Sequence, residues 1–140
     1  MSESKRCRQP LINGFNKYGI LAYPIETGRT RRGVSDIFIN LEGLVVWMEC
    51  KEVEEVDCAQ IEIDFEPLQK SFLIENFREG GISIVALRTP DAFIFTHINN
   101  IDDDNKMIKQ DRHILTLYKL DIPVLIKWLQ TFNSYLALHL

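Results

Sequence analysis

No apolar stretch in this sequence approaches the roughly 18 residues needed to cross a bilayer. The first residues, MSESKRCRQ, are polar and charged where a secretory leader would carry an apolar core. A cytoplasmic protein with no membrane partner is expected, and the small size would suit a phage-encoded product made in a host cytoplasm. Cysteine is scarce. Cys7, Cys50 and Cys58 share no metal-binding spacing, and an odd number in a reducing compartment reads as free thiols. The three histidines are scattered, so a zinc site is not expected, and His97 is expected to be structural or exposed. Residues 99–104, NNIDDD, lack the glycine and the final glutamate of a calcium loop. Repeats and low-complexity tracts are absent, which excludes solenoid and fibrous architectures.

What is present is globular: 140 residues, 46% of them hydrophobic, enough for one domain over residues 1–140 with a core of its own. The net charge of −4 argues by itself against a nucleic-acid partner, but its distribution argues the other way. Residues 1–32 carry seven basic and two acidic side chains; residues 33–66 carry one basic and ten acidic. In GRTRRG, residues 28–33, Arg29, Arg31 and Arg32 lie between two glycines. Guanidinium forks match phosphate oxygens and glycine permits close backbone approach, so this loop reads as a clamp on a nucleic-acid backbone. The acidic stretch 52–66 reads as a loop or arm projecting from the end of the strand that closes with Glu49 and Lys51, open to a protein contact, with a short strand where Ile61 and Ile63 alternate with acids.

The chain alternates helices and strands. A helix is expected over residues 2–18, capped by Ser2, started or kinked at Pro10 and ended by Gly19. Ile20–Ile25 reads as an edge strand because it contains Pro24. Asn40-Leu41-Glu42-Gly43 has the chemistry of a tight reversal, pairing residues 35–40 with 44–51. Along the second of these strands both faces are apolar, as in a strand covered on both sides. Pro67 opens a helix with Leu68, Phe72, Leu73 and Phe77 as its buried stripe and Gly80-Gly81 as its end. Strands follow at residues 82–87, 92–98 and 113–120, then a last amphipathic helix capped by Asp121. An α/β fold with a central sheet is the expectation.

One stretch organises the rest: GVSDIFINLEGLVVWMECK, residues 33–51. Strand alternation puts Glu49 and Lys51 on one face, about 7 Å apart. The reversal brings Asp36, at the start of the partner strand, beside them. Two adjacent carboxylates repel unless a cation sits between them, and Mg²⁺ accepts a few oxygen ligands while keeping waters for exchange. Metal ligands would be Asp36, Glu49 and the Cys50 carbonyl, with Glu26 as a further acid. Lys51 would sit beside the metal and steady a hydroxide or a developing phosphate charge.

An acid, a hairpin and then Glu-x-Lys resemble the PD-(D/E)XK nuclease superfamily, with Ser35-Asp36 in place of Pro-Asp and Glu49-Cys50-Lys51 as the second half. Gly33 and the Gln69-bearing helix resemble its VRR-NUC and Holliday-junction-resolvase branch. The resemblance covers roughly residues 27–89. It implies a restriction-endonuclease-like fold, a central mixed sheet flanked by helices. It implies a Mg²⁺- or Mn²⁺-dependent DNA endonuclease of repair or recombination, structure-selective for branched, flap or junction DNA, with branched or duplex DNA as its partner. It adds Gln69 to the catalytic set, hydrogen-bonding a phosphate or the water. It also makes Glu3, from the first helix, a candidate metal ligand. Ser35 and Lys70 join the three arginines as nucleic-acid contacts, and a resolvase would be a homodimer with two sites. Two other readings remain open: a catalytically idle nuclease-fold module that binds protein or DNA, and an RNA nuclease.

Overall fold

The structure, a computed structural model, describes residues 4–25, 36–54, 61–107 and 113–139. Its centre is one six-stranded sheet in sequential order: β1 (Leu21–Pro24), β2 (Ile37–Leu41), β3 (Leu44–Glu52), β4 (Ile82–Arg88), β5 (Phe93–His97) and β6 (Ile114–Leu117). Every neighbouring pair is antiparallel except β3 and β4, which run parallel. A parallel pair needs a crossover, and α2 (Gln69–Arg78) supplies it. The sheet is therefore mixed and helix-flanked, as expected. Among the described residues, no helix is long and apolar enough to cross a membrane.

Alternation sorts the strand residues into two layers. Ile37, Ile39, Val46, Met48, Cys50, Ile84 and Ala86 face α1 (Gln9–Lys17) and α3 (Ile122–His139). These helices contribute Leu11, Phe15, Leu125 and Leu129 to that layer. Their close approach depends on Gly14, where an added Cβ would lie 2.6 Å from the Ile122 side chain. On the other face Val85, Leu87 and Ile94 pack under Leu73 of α2 and under Ile61 and Ile63. β3 and β4 are thus covered from both sides, the arrangement its two apolar faces called for.

The tight reversal is a two-residue turn with Glu42 at φ 54° and Gly43 at φ 90°. Both values lie in the left-handed region, so the turn's twist matches that of the paired strands. The Asn40 side-chain oxygen accepts the Gly43 N–H at 2.7 Å, and Leu41 pairs with Leu44.

Four expectations need correction. The first helix begins as a π-helical turn, Ser4–Arg8, and becomes α-helical at Gln9, with Pro10 in its first turn where no intrahelical N–H is required. The helix expected at Pro67 starts at Gln69, because Leu68 takes φ 75° and cannot continue a right-handed turn. Leu68 is consequently 62% exposed and leaves the buried stripe to Leu73, with Phe72 and Phe77 half-buried. The last strand is shortened to Ile114–Leu117. Residues 61–65 do not project. Ile61 and Ile63 are buried, the Ile63 N–H donates to the Asn105 carbonyl at 2.8 Å, and Glu62 bridges to Lys106. The alternation that makes the segment acidic also gives it an apolar underside, which sinks onto the sheet.

Candidate active site

Asp36 stands one residue before β2, and the register Ile37↔Met48 places it opposite Glu49. Its Oδ2 accepts the Cys50 N–H at 3.0 Å, so the carboxylate caps the end of the hairpin rather than turning away. The N–H and C=O of one residue in an extended strand point to the same side. The Cys50 carbonyl therefore faces the same gap, where β2 has ended. The other Asp36 oxygen, Oδ1, takes no hydrogen bond among the described residues.

Glu49 is 1% exposed and Lys51 8% exposed. A buried carboxylate costs several kcal/mol unless polar partners surround it. Glu49 Oε1 accepts from Gln69 Nε2 at 2.9 Å and lies 4.0 Å from Lys51 Nζ. Gln69 is itself buried, as the first residue of α2, and its Oε1 accepts the Glu66 N–H at 2.7 Å. One amide thus ties the approach to α2 onto the end of β3. A solvent-facing Gln69 is ruled out.

Cys50 points to the opposite face, toward Cys7. Burial pushes its thiol well above the ordinary cysteine value. A hydrogen bond with Cys7 and the nearby charges of Asp36 and Glu49 push the same way. Both cysteines are buried and free. Cys50 can serve a metal only through its backbone.

The structure thus brings together Asp36, Glu49, Cys50, Lys51 and Gln69. It does not add Lys70, which lies one residue further along α2. The Lys70 ammonium donates to the Asp102 carbonyl at 2.7 Å and to Asn105 Oδ1 at 2.9 Å, so it braces the loop at 102–105. Glu3, Glu26, Arg29, Arg31, Arg32 and Ser35 lie outside the described residues. His97 is buried, as the structural reading required, and its Nδ1 accepts the Asn99 N–H at 3.0 Å.

No group of three or more His, Cys, Asp or Glu side chains placed to hold a metal occurs among the described residues. The donors on hand are two carboxylates and one backbone carbonyl. That set suits a hard, hydrated cation such as Mg²⁺ or Mn²⁺, which binds through one or two carboxylates and fills its shell with water. It does not suit zinc, which takes nitrogen and sulfur ligands in a closed tetrahedron.

Sequence reasoning missed two features beside this centre. Beyond the site, Arg6 Nε pairs with Glu52 Oε1 at 3.2 Å over a cavity of about 510 Å³ at the ends of β3 and β4. On the Glu49 face, Tyr23, Phe38 and Trp47 form a cross-strand row. The row was readable from the hairpin register, since the turn fixes which residues face each other.

The fold and the arrangement of the hairpin place the chain in the α/β class with a resolvase- or restriction-endonuclease-like sheet. No family model and no curated protein sequence matches it. Among solved structures it is similar to that of Archaeoglobus fulgidus Hjc, a Holliday junction resolvase from an archaeal hyperthermophile. The TM-score is 0.57 at 18% identity, covering 74% of this chain and 84% of that one. At that identity the likeness establishes the shared fold alone.

Proposed function

We propose that residues 1–140 form a single nuclease-like domain that hydrolyses phosphodiester bonds in DNA, selectively at branched, flap or junction structures. One observation carries the reading: Asp36, Glu49 and Lys51, distant along the chain or buried at cost, meet at one end of a parallel strand pair under the Gln69 amide. The likeness in fold to a Holliday junction resolvase supports the substrate class and the resolvase side of the VRR-NUC and resolvase branch. A homodimer would supply the two symmetric cuts that junction resolution requires.

Asp36, Glu49 and the Cys50 carbonyl would hold Mg²⁺ or Mn²⁺. When bound, the metal supplies charge neutralisation at the phosphate and lowers the pKa of a water nucleophile. The chain's own residues do the rest. The Cys50 N–H fixes the Asp36 carboxylate on one oxygen and leaves the other directed to ligand. Gln69 holds Glu49 by one oxygen, which limits its rotation. Lys51, with its ammonium near Glu49, places a fixed positive charge where charge builds on the phosphate. Burial of Glu49 and Lys51 excludes bulk water and strengthens each of these interactions.

The pairing of Lys51 with Glu49, with 4.0 Å between Nζ and Oε1, favours a second reading, an idle nuclease fold kept for binding. One experiment separates them. Labelled four-way, flap and linear DNA, and matching RNA, are incubated with the protein in Mg²⁺ or Mn²⁺ beside Asp36→Ala and Lys51→Ala. Metal-dependent cleavage of branched DNA by the wild type, lost in both variants, is the expected result. No cleavage of any substrate supports the binding module, and preference for RNA redirects the substrate class.

A further inference from the structure

We propose that the row Tyr23–Phe38–Trp47 is a stacking platform for unpaired nucleobases of the strand entering the candidate site. The inference rests on the nuclease reading and names the part of the substrate that the carboxylate centre does not touch.

Tyr23 pairs with Phe38 and Phe38 with Trp47, so the three rings lie in one line across three strands, β1 to β3. Tyr23 stacks on Phe38 with centroids 5.1 Å apart and planes at 30°. Phe38 meets Trp47 edge-on at 5.1 Å, and Trp47 meets Phe72 of α2 edge-on at 5.2 Å. The row is therefore closed at one end by α2 and open at the other, where β1 is the sheet edge. Tyr23 is 41% exposed and Phe38 and Trp47 are half-buried.

Position decides what this row is for. Asp36 lies two residues before Phe38, and Glu49 two residues after Trp47. The carboxylates thus form the next row on the same face, about 7 Å away. Stacked nucleotides advance about 3.4 Å each along the helix axis and an unstacked strand can extend further, so the two rows lie within one or two nucleotides of each other. A phosphate held at the carboxylates would set a base one or two nucleotides along over the Tyr23 and Phe38 rings. Stacking on such rings tolerates any base and requires that the base be unpaired. The arginines of residues 28–33 address the backbone; the aromatic row would sense whether the strand is single.

A protein occupant fits less well. Tyr23 and its exposed neighbour Leu21, 56% exposed, offer on the order of 200 Å² together. A standard interface needs about 800 Å² per partner. Pro24 also removes an N–H from β1, which discourages a second copy from adding a strand there.

The test measures affinity by fluorescence anisotropy, in Ca²⁺ to hold the substrate uncut, for a plain duplex and for the same duplex with a three-nucleotide flap. Wild type, Tyr23→Ala and Tyr23→Phe are compared, each with normal and abasic flaps. Tyr23→Ala should lose about tenfold on the normal flap and nothing on the duplex. Tyr23→Phe should retain wild-type affinity, and abasic flaps should erase the difference between wild type and Tyr23→Ala. Equal affinities of wild type and Tyr23→Ala for the flap overturn the platform while leaving the nuclease reading intact. Failure of the wild type to bind either DNA overturns both. A change in sedimentation of Tyr23→Ala without a change in flap binding assigns the row to contact between copies and overturns the proposal.

Discussion

The Gln69 amide spans two elements: its nitrogen donates to the Glu49 carboxylate at 2.9 Å and its oxygen accepts the Glu66 N–H at 2.7 Å. Substituting Gln69→Ala removes both bonds from a buried place. Leaving buried polar groups with fewer partners costs about 1–3 kcal/mol, so a fall in urea midpoint with an unchanged m-value is expected. Gln69→Glu should be worse at neutral pH, because it sets a second carboxylate against Glu49, and should recover stability as the pH is lowered toward the carboxylate range.

Asp36 has a structural duty and, in the proposed function, a chemical one, and Asp36→Asn separates them. Asparagine keeps an oxygen for the Cys50 N–H, so thermal stability should change by less than about 1 kcal/mol. It loses the charge that a divalent cation needs. Calorimetric titration with Mn²⁺ should show at least a tenfold weaker affinity, and cleavage should disappear. Unchanged Mn²⁺ affinity would remove Asp36 from the ligand set.

His97 makes stability depend on pH. Burial, and to a smaller extent the nearby His113, lower its pKa to about 4. The unfolded chain, with an ordinary value near 6.5, binds a proton first as pH falls. Stability from the neutral ring is therefore complete above about pH 6.5 and is lost between there and about pH 4, to a total of about 3 kcal/mol. His97→Gln should flatten the wild-type curve of unfolding free energy across that window. A parallel curve would refute the assignment.

The raised thiol pKa of Cys50 implies chemical silence in the native state, since the thiolate is the reactive form and both core thiols are buried. With Cys58 replaced by serine, maleimide labelling of the native protein should proceed only at the unfolding rate and should accelerate in denaturant. Rapid stoichiometric labelling under native conditions would contradict the packing of Cys7 against Cys50.

Much of this centre was legible in the sequence because it depends on local rules. Asn40 to Gly43 dictates a two-residue turn, the turn dictates the register, and the register places Asp36 against Glu49. The alternation of β3 assigned each side chain to its face. Two things were not legible. The hydrogen bond that the Gln69 amide donates to Glu49 depends on how the crossover returns over the sheet, which no local pattern encodes. Leu68 at φ 75° breaks the usual rule that proline opens a helix, and a bulky residue in that conformation is a tertiary outcome. Residues 61–63 differ again: their alternation is visible in the sequence, but the surface that receives Ile61 and Ile63 is assembled from α2, β4 and β5, far along the chain.

The single parallel pairing in the sheet has a consequence for the order of assembly. β1, β2 and β3 are joined by near neighbours and can zip as a meander during synthesis. β4 can join β3 only after some thirty residues of crossover have closed, a slow step for a chain. Glu49 gains its Gln69 partner at that moment and not before. A nascent chain that has already made its hairpin therefore carries an unfinished centre, and on the proposed reading the capacity to cut would arrive only with the completed domain.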